Sequence, residues 1–148
     1  MTHIVVLNGP NLNLLGTREP ALYGAATLGD IERALHERAT ALNVTIAFAQ
    51  SNHEGELVDL VQGLRGTADG AIVNLGAYTH TSLALRDAFL AVPIPFVEVH
   101  LSNLFKREAL RHHSVTADLA VGMVSGFGAL GYELALEALV SALNAPKS

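Results

Sequence analysis

Short apolar runs alternate along this chain with stripes at helical spacing, and that alternation constrains the fold more than any other feature. His3-Ile4-Val5-Val6-Leu7-Asn8 is a continuous, β-branched run ended by Gly9, the pattern of a strand buried on both faces. Val44 to Ala49, Ala71 to Leu75 (ended by Gly76) and Pro93 to Val99 repeat it, and a fifth run lies around Leu119 to Met123. Between them, Thr27-Leu28-Gly29-Asp30 reads as a capping box with aspartate in place of glutamate. Leu28, Ile31, Leu35 and Leu42 then predict a helix to about Leu42, and Leu57, Val61 and Leu64 mark a second stripe. A short helix is expected from roughly Thr81 to Leu90, and a last one from about Phe127 to Leu143, apolar nearly all round and so buried.

This order predicts an α/β protein, a flavodoxin-like three-layer sandwich on a five-stranded parallel sheet of order 2-1-3-4-5, in a single catalytic domain over 1–148. Half the residues are hydrophobic and 16% are charged, against roughly 25% in ordinary soluble domains. Covered sheet faces and a large subunit interface both account for that, and both are expected. No apolar run approaches the ~18 residues needed to span a bilayer, and no secretion signal opens the chain, so a cytoplasmic protein is expected. Nine basic against fourteen acidic residues, with no basic block, argue against nucleic acid as a partner.

In sheets of this kind ligands bind beyond the carboxyl ends of the strands. After the first strand comes a long segment broken by Gly9, Pro10, Gly16, Pro20 and Gly24, which forbid a helix there. Its leucines argue against disorder, so it reads as an active-site loop carrying Asn11, Arg18 and Tyr23. Strand three ends in Asn74 and leads to His80, with Asp87 beyond; strand four ends in Glu98-Val99-His100-Leu101-Ser102, then Arg107 and Arg111. Asn11 and Asn74 also suit plain turn positions, His80 suits a helix cap, and Asp87 suits an ordinary surface site. Glu98 and His100 are two apart and so share a side of the strand, where the carboxylate fixes the imidazole tautomer as general acid–base chemistry requires. Arg107 and Arg111, read as i and i+4 on a helix face, repel each other and call for an anion, either a glutamate such as Glu108 or Glu19 or a carboxylate ligand. Tyr23 reads first as a residue packing on the ligand. A second role is open to it, because a cation at ~4 Å in an effective dielectric of ~20 favours a phenolate by about 4 kcal/mol.

Together, Asn8 to Pro20 with Tyr23-Gly24, Asn74 to Ser82, Glu98 to Asn103, and Arg107-Glu108 through Arg111-His112-His113-Ser114 resemble the type II 3-dehydroquinate dehydratases over essentially the whole chain. The family pattern has Asn-Pro-Gly where this chain has Asn74-Leu75-Gly76. The resemblance implies dehydration of 3-dehydroquinate, an anionic small molecule, to 3-dehydroshikimate through an enolate, with no metal and no cofactor. It implies Tyr23 as general base, Arg18 as the cation that makes it one, and Asn11 as the holder of a water on the enolate. By the same resemblance His100, oriented by Glu98, would protonate the leaving hydroxyl. Asn74, His80, the Leu101 and Ser102 amides and Arg111 would bind substrate, and Arg107 would support the lid. Asp87 would reach a neighbouring subunit within a homododecamer, a tetramer of trimers. From a different class, a flavodoxin-like binding or signalling module fits poorly: Asn8 and Asn74 stand where a receiver needs acids, and Pro10 and leucines where a flavin phosphate loop would lie. A Schiff-base route has only Lys106 and Lys147 to draw on, neither in a core segment.

Overall fold

A computed structural model describes residues 1–17 and 19–146. Strands β1 (His3–Asn8), β2 (Thr45–Gln50), β3 (Gly70–Asn74), β4 (Phe96–His100) and β5 (Gly122–Ser125) form one parallel sheet in the order β2-β1-β3-β4-β5. The register aligns Asn8 with both Gln50 and Asn74, and His100 with Ser125, so the polar strand ends lie along one edge.

Helices α1 (Pro20–Tyr23), α2 (Leu28–Ala41), α3 (Glu54–Gly63), α4 (Leu83–Ala91) and α5 (Leu130–Asn144) complete the chain. Alternating strand side chains feed two separate cores. Ile4, Val6, Ile72, Val97 and Val99 pack with Ile31 and Leu35 of α2 and Tyr132, Leu136 and Leu139 of α5. Leu7, Ala71, Val73 and Phe96 pack with Leu57 and Val61 of α3 and Leu85 and Phe89 of α4. By the same alternation Asn8 and Asn74 face the α2/α5 layer, while Glu98 and His100 face the α3/α4 layer. The site at the strand ends therefore draws on both layers.

The capping box forms as expected: Thr27 Oγ1 accepts from the Asp30 amide at 3.1 Å, and Asp30 Oδ2 accepts from the Thr27 amide at 2.9 Å. Other expectations need correction. The loop after β1 contains a 3-10 turn at Leu12–Leu14 and the single-turn helix α1; Pro20 sits at the first helical position, where its missing N–H breaks no bond. Its leucines Leu12 and Leu15 are buried in the α2/α5 core. Arg107 and Arg111 do not share a helix. They belong to separate 3-10 turns around Leu104–Lys106 and Ala109–Arg111, and Arg107 has an extended backbone that ends the first. Ser82, not His80, caps α4, its hydroxyl accepting from the Leu85 amide at 3.0 Å. The fifth strand starts at Gly122, three residues later than its apolar run, because Ala117–Leu119 is a 3-10 turn. Helix α5 is buried along one stripe only, with Leu130 53% and Leu134 40% exposed.

Candidate active site

A cleft of about 170 Å³ opens at the carboxyl ends of β1, β3 and β4. Asn11, Tyr23, Asn74, His80, His100, Leu101, Ser102, Arg107 and Arg111 all line it. Glu98 lies behind His100 rather than in the wall, and Asp87 is exposed on α4, outside the lining. Arg18 lies outside the described residues. Two guanidinium groups and two imidazoles reach the lining, and no carboxylate does among the described residues, so the cleft suits an anion of modest size.

The acid–base pair is built on β4. His100 Nε2 lies 2.7 Å from Glu98 Oε2, and both side chains are buried. Glu98 Oε1 accepts from Thr116 Oγ1 at 2.5 Å and from Ser114 Oγ at 3.0 Å. Burial pushes the Glu98 carboxyl up, but the hydrogen bonds from His100, Thr116 and Ser114 outweigh it and hold the group below the usual carboxylate range. An ionised Glu98 takes the Nε2 proton of His100 as its donor, which leaves Nδ1 for a ligand. The ring of His80 stacks beside it with centroids 6.4 Å apart. His80 Nδ1 donates to the His113 carbonyl at 2.8 Å, so Nε2 is its ligand-facing nitrogen. Burial lowers the pKa of His80, and His100 and Arg111 nearby lower it further, against the opposing pull of the His113 carbonyl and Glu98. A neutral His80 presents Nε2 as an acceptor, suited to a ligand hydroxyl.

On the other layer, Asn74 is fixed without the family proline. Its Nδ2 donates to the Tyr132 hydroxyl at 3.0 Å, its Oδ1 accepts from the Gly76 amide at 3.1 Å, and the Tyr132 hydroxyl donates to Asn8 Oδ1 at 2.6 Å. Burial pushes the Tyr132 phenol far up, so it stays a hydroxyl and can serve both asparagines. Asn11 takes the left-handed backbone its residue type tolerates, φ 69°, and its amide donates to Asn52 Oδ1 at 2.9 Å. Its side chain makes no cap bond to the following turn, so the turn is not what holds it.

The loop reaches the cleft through Tyr23, which lines it while packing against the α2/α5 core. The Arg107 guanidinium lies 5.5 Å from the Tyr23 ring centroid, a cation–π contact, and Arg107 Nη1 donates to Ser102 Oγ at 3.1 Å. Arg111 Nε pairs with Glu108, the structural partner named as one alternative in the sequence, yet Arg111 still reaches the cleft. Ser114, Thr116, Tyr132 and Asn8 are the supporting residues that sequence reasoning gave no role. Ser114 stood at the edge of a motif; Tyr132 was hidden in an apolar helical stripe.

A family model described as dehydroquinase class II matches residues 2–140. A curated relative from Gemmatimonas aurantiaca, named 3-dehydroquinate dehydratase, is 61% identical over 95% of this chain and 93% of that protein. A relative from Neosartorya fischeri, named catabolic 3-dehydroquinase 1, is 53% identical over 90% of this chain and 89% of its own length. Among solved structures, a type II dehydroquinase from Butyrivibrio crossotus superposes with a TM-score of 0.91 at 41% identity, covering 93% of this chain and 97% of that one. With a family model matched over residues 2–140, a relative 61% identical over nearly its whole length, and a shared fold, the chain belongs to the class II dehydroquinase family.

Proposed function

We propose that this protein is a hydro-lyase that removes water from 3-dehydroquinate to give 3-dehydroshikimate, the dehydration step of the shikimate pathway. The observation that carries the reading is the buried Glu98–His100 pair backing a cleft lined by Arg107, Arg111 and Tyr23. In this reading Tyr23 removes the proton α to the ketone, with Arg18 as the neighbouring cation. The electron pair of the broken C–H bond moves into an enolate, whose oxygen is held by a water on Asn11. The enolate then re-forms the ketone and expels the hydroxyl; the proton taken up by Tyr23 is relayed to His100 Nδ1, whose ring keeps its Nε2–H on Glu98, and from Nδ1 to that hydroxyl, so that water leaves. Tyr23 is thereby a phenolate again and His100 a neutral imidazole, as at the start. Fixed donors where charge develops and a roof that excludes water are what such an intermediate requires.

Asn74, His80 Nε2, the Leu101 and Ser102 amides and Arg111 bind the hydroxyls and carboxylate, and Arg107 supports Tyr23. The protein works as one catalytic domain in the cytoplasm. Exposed Leu83, Phe105, Leu110 and Phe127 support its assembly as a homododecamer in which Asp87 serves a neighbouring cleft.

Purified protein alone converts 3-dehydroquinate to an ultraviolet-absorbing enoate, and Tyr23→Phe abolishes turnover while the circular dichroism spectrum stays native. A near-full rate in Tyr23→Phe removes the base assignment, and no product from the unaltered protein removes the reaction. Light scattering gives the mass of twelve chains; a monomer mass refutes the assembly.

A further inference from the structure

One short segment, residues 113–116, holds both histidines of the cleft. The His113 carbonyl accepts from His80 Nδ1 at 2.8 Å, while the Ser114 and Thr116 hydroxyls grip Glu98, which in turn grips His100. The segment is itself pinned. The Val115 amide donates to the Thr79 carbonyl at 2.9 Å, and Arg86 Nη1 donates to the Val115 carbonyl at 2.8 Å and to Asp118 Oδ1 at 2.6 Å. Thr116 is fully buried, and its hydroxyl makes the shortest of the three bonds to the carboxylate.

A buried carboxylate needs donors on both oxygens. The last side-chain torsion of a glutamate is broad, with no sharp staggered well to fix the carboxylate plane. Among the described residues His100 holds Oε2; without the two hydroxyls on Oε1 the plane is free to turn and the imidazole loses its fixed acceptor. We infer that Thr116, seconded by Ser114, is a positioning residue for the dehydration: its hydroxyl sets the plane of Glu98, and Glu98 in turn keeps the resting His100 proton on Nε2 and leaves Nδ1 to carry the relayed proton to the leaving hydroxyl. The inference rests on the reaction proposed above. The ionisable groups facing Glu98 are His100 on its own strand and His80 from the turn after β3.

The test compares Thr116→Val, which keeps the shape and deletes the hydroxyl, with Thr116→Ser, which restores it. Thr116→Val lowers kcat about tenfold with KM within about twofold, and moves the acid limb of the kcat profile up by about one pH unit. Thr116→Ser returns both towards the unaltered enzyme. Nitrogen resonances of the His100 ring show one Nε2–H tautomer in the unaltered protein and in Thr116→Ser, and a tautomer mixture in Thr116→Val. If Thr116→Val is less stable but keeps the kcat, the acid limb and the single tautomer, Thr116 is only a core residue and the inference falls. If the unaltered protein does not dehydrate 3-dehydroquinate, the reaction is wrong, and the tautomer comparison alone then decides whether Thr116 positions His100. Should Thr116→Val fail to fold, Ser114→Ala removes the other donor to the same oxygen, with a smaller change of the same sign expected and no change refuting.

Discussion

Tyr132 comes from the last helix, yet its hydroxyl joins the ends of β1 and β3 by accepting from Asn74 and donating to Asn8. Tyr132→Phe strips a buried partner from both asparagines, so stability falls by about 1–3 kcal/mol. Because Asn74 then loses its anchor to the cleft floor, KM rises several-fold with a smaller change in kcat. Urea melts and steady-state kinetics check this, and an unchanged KM would show that Gly76 alone holds Asn74. The Glu98–His100 pair was legible because strand side chains repeat every two residues, so a spacing read off the sequence is a statement about geometry. Thr116 and Tyr132 were not legible, since their partners are 18 and 124 residues away and nothing local marks a buried hydroxyl as a bond in waiting.

Where an element carries its own start signal, the sequence suffices: Thr27 and Asp30 cap α2 where the residue types require it. The segment around Arg107 and Arg111 has a helical spacing of charges by coincidence. Its turns are set by the Asn103 side chain, which caps the first one by accepting from the Phe105 amide, and by its path between β4 and the cleft. The loop after β1 is a third case, in which breakers fix where regular structure stops but not the short turns between them. Its entry depends on contact. The Gly9 amide donates to the Asn74 carbonyl at 2.7 Å, and a Cβ at Gly9 would stand 2.5 Å from the Leu75 carbonyl oxygen. Gly9→Ala therefore pushes β1's exit away from the end of β3, destabilising by about 1–3 kcal/mol and displacing Asn11 from the cleft. A fall in both melting temperature and kcat/KM is expected, and an unchanged kcat/KM would mean that the loop reaches its working position independently of this contact.

The molecule should weaken towards acid in two stages. The folded-state pKa of His80 is lowered, so the stability tied to its neutral form is complete above its ordinary value near ~6.5 and is lost as pH falls below it. The folded-state pKa of Glu98 is lowered too, so its contribution is complete above ~4.3 and is lost as pH falls through the depressed value. Urea midpoints measured from pH 8 to 3 should decline across both windows, and Glu98→Gln should flatten the lower one; an equally steep acid fall in that variant would place the lower stage elsewhere. No helix among the described residues is long and apolar enough to cross a membrane, and the proposed assembly would cover the exposed leucines and phenylalanines. The division of the site between the two faces of the sheet has one more consequence. In the proposed reaction Asn74, which would bind substrate, is anchored by Tyr132 of α5, while His100, the proposed proton donor, lies on the α3/α4 side of the sheet, so binding and reaction would need both layers built. Turnover is thus a logical AND of two hydrophobic cores: during refolding it appears only with the slower core, and during unfolding it disappears with the weaker one.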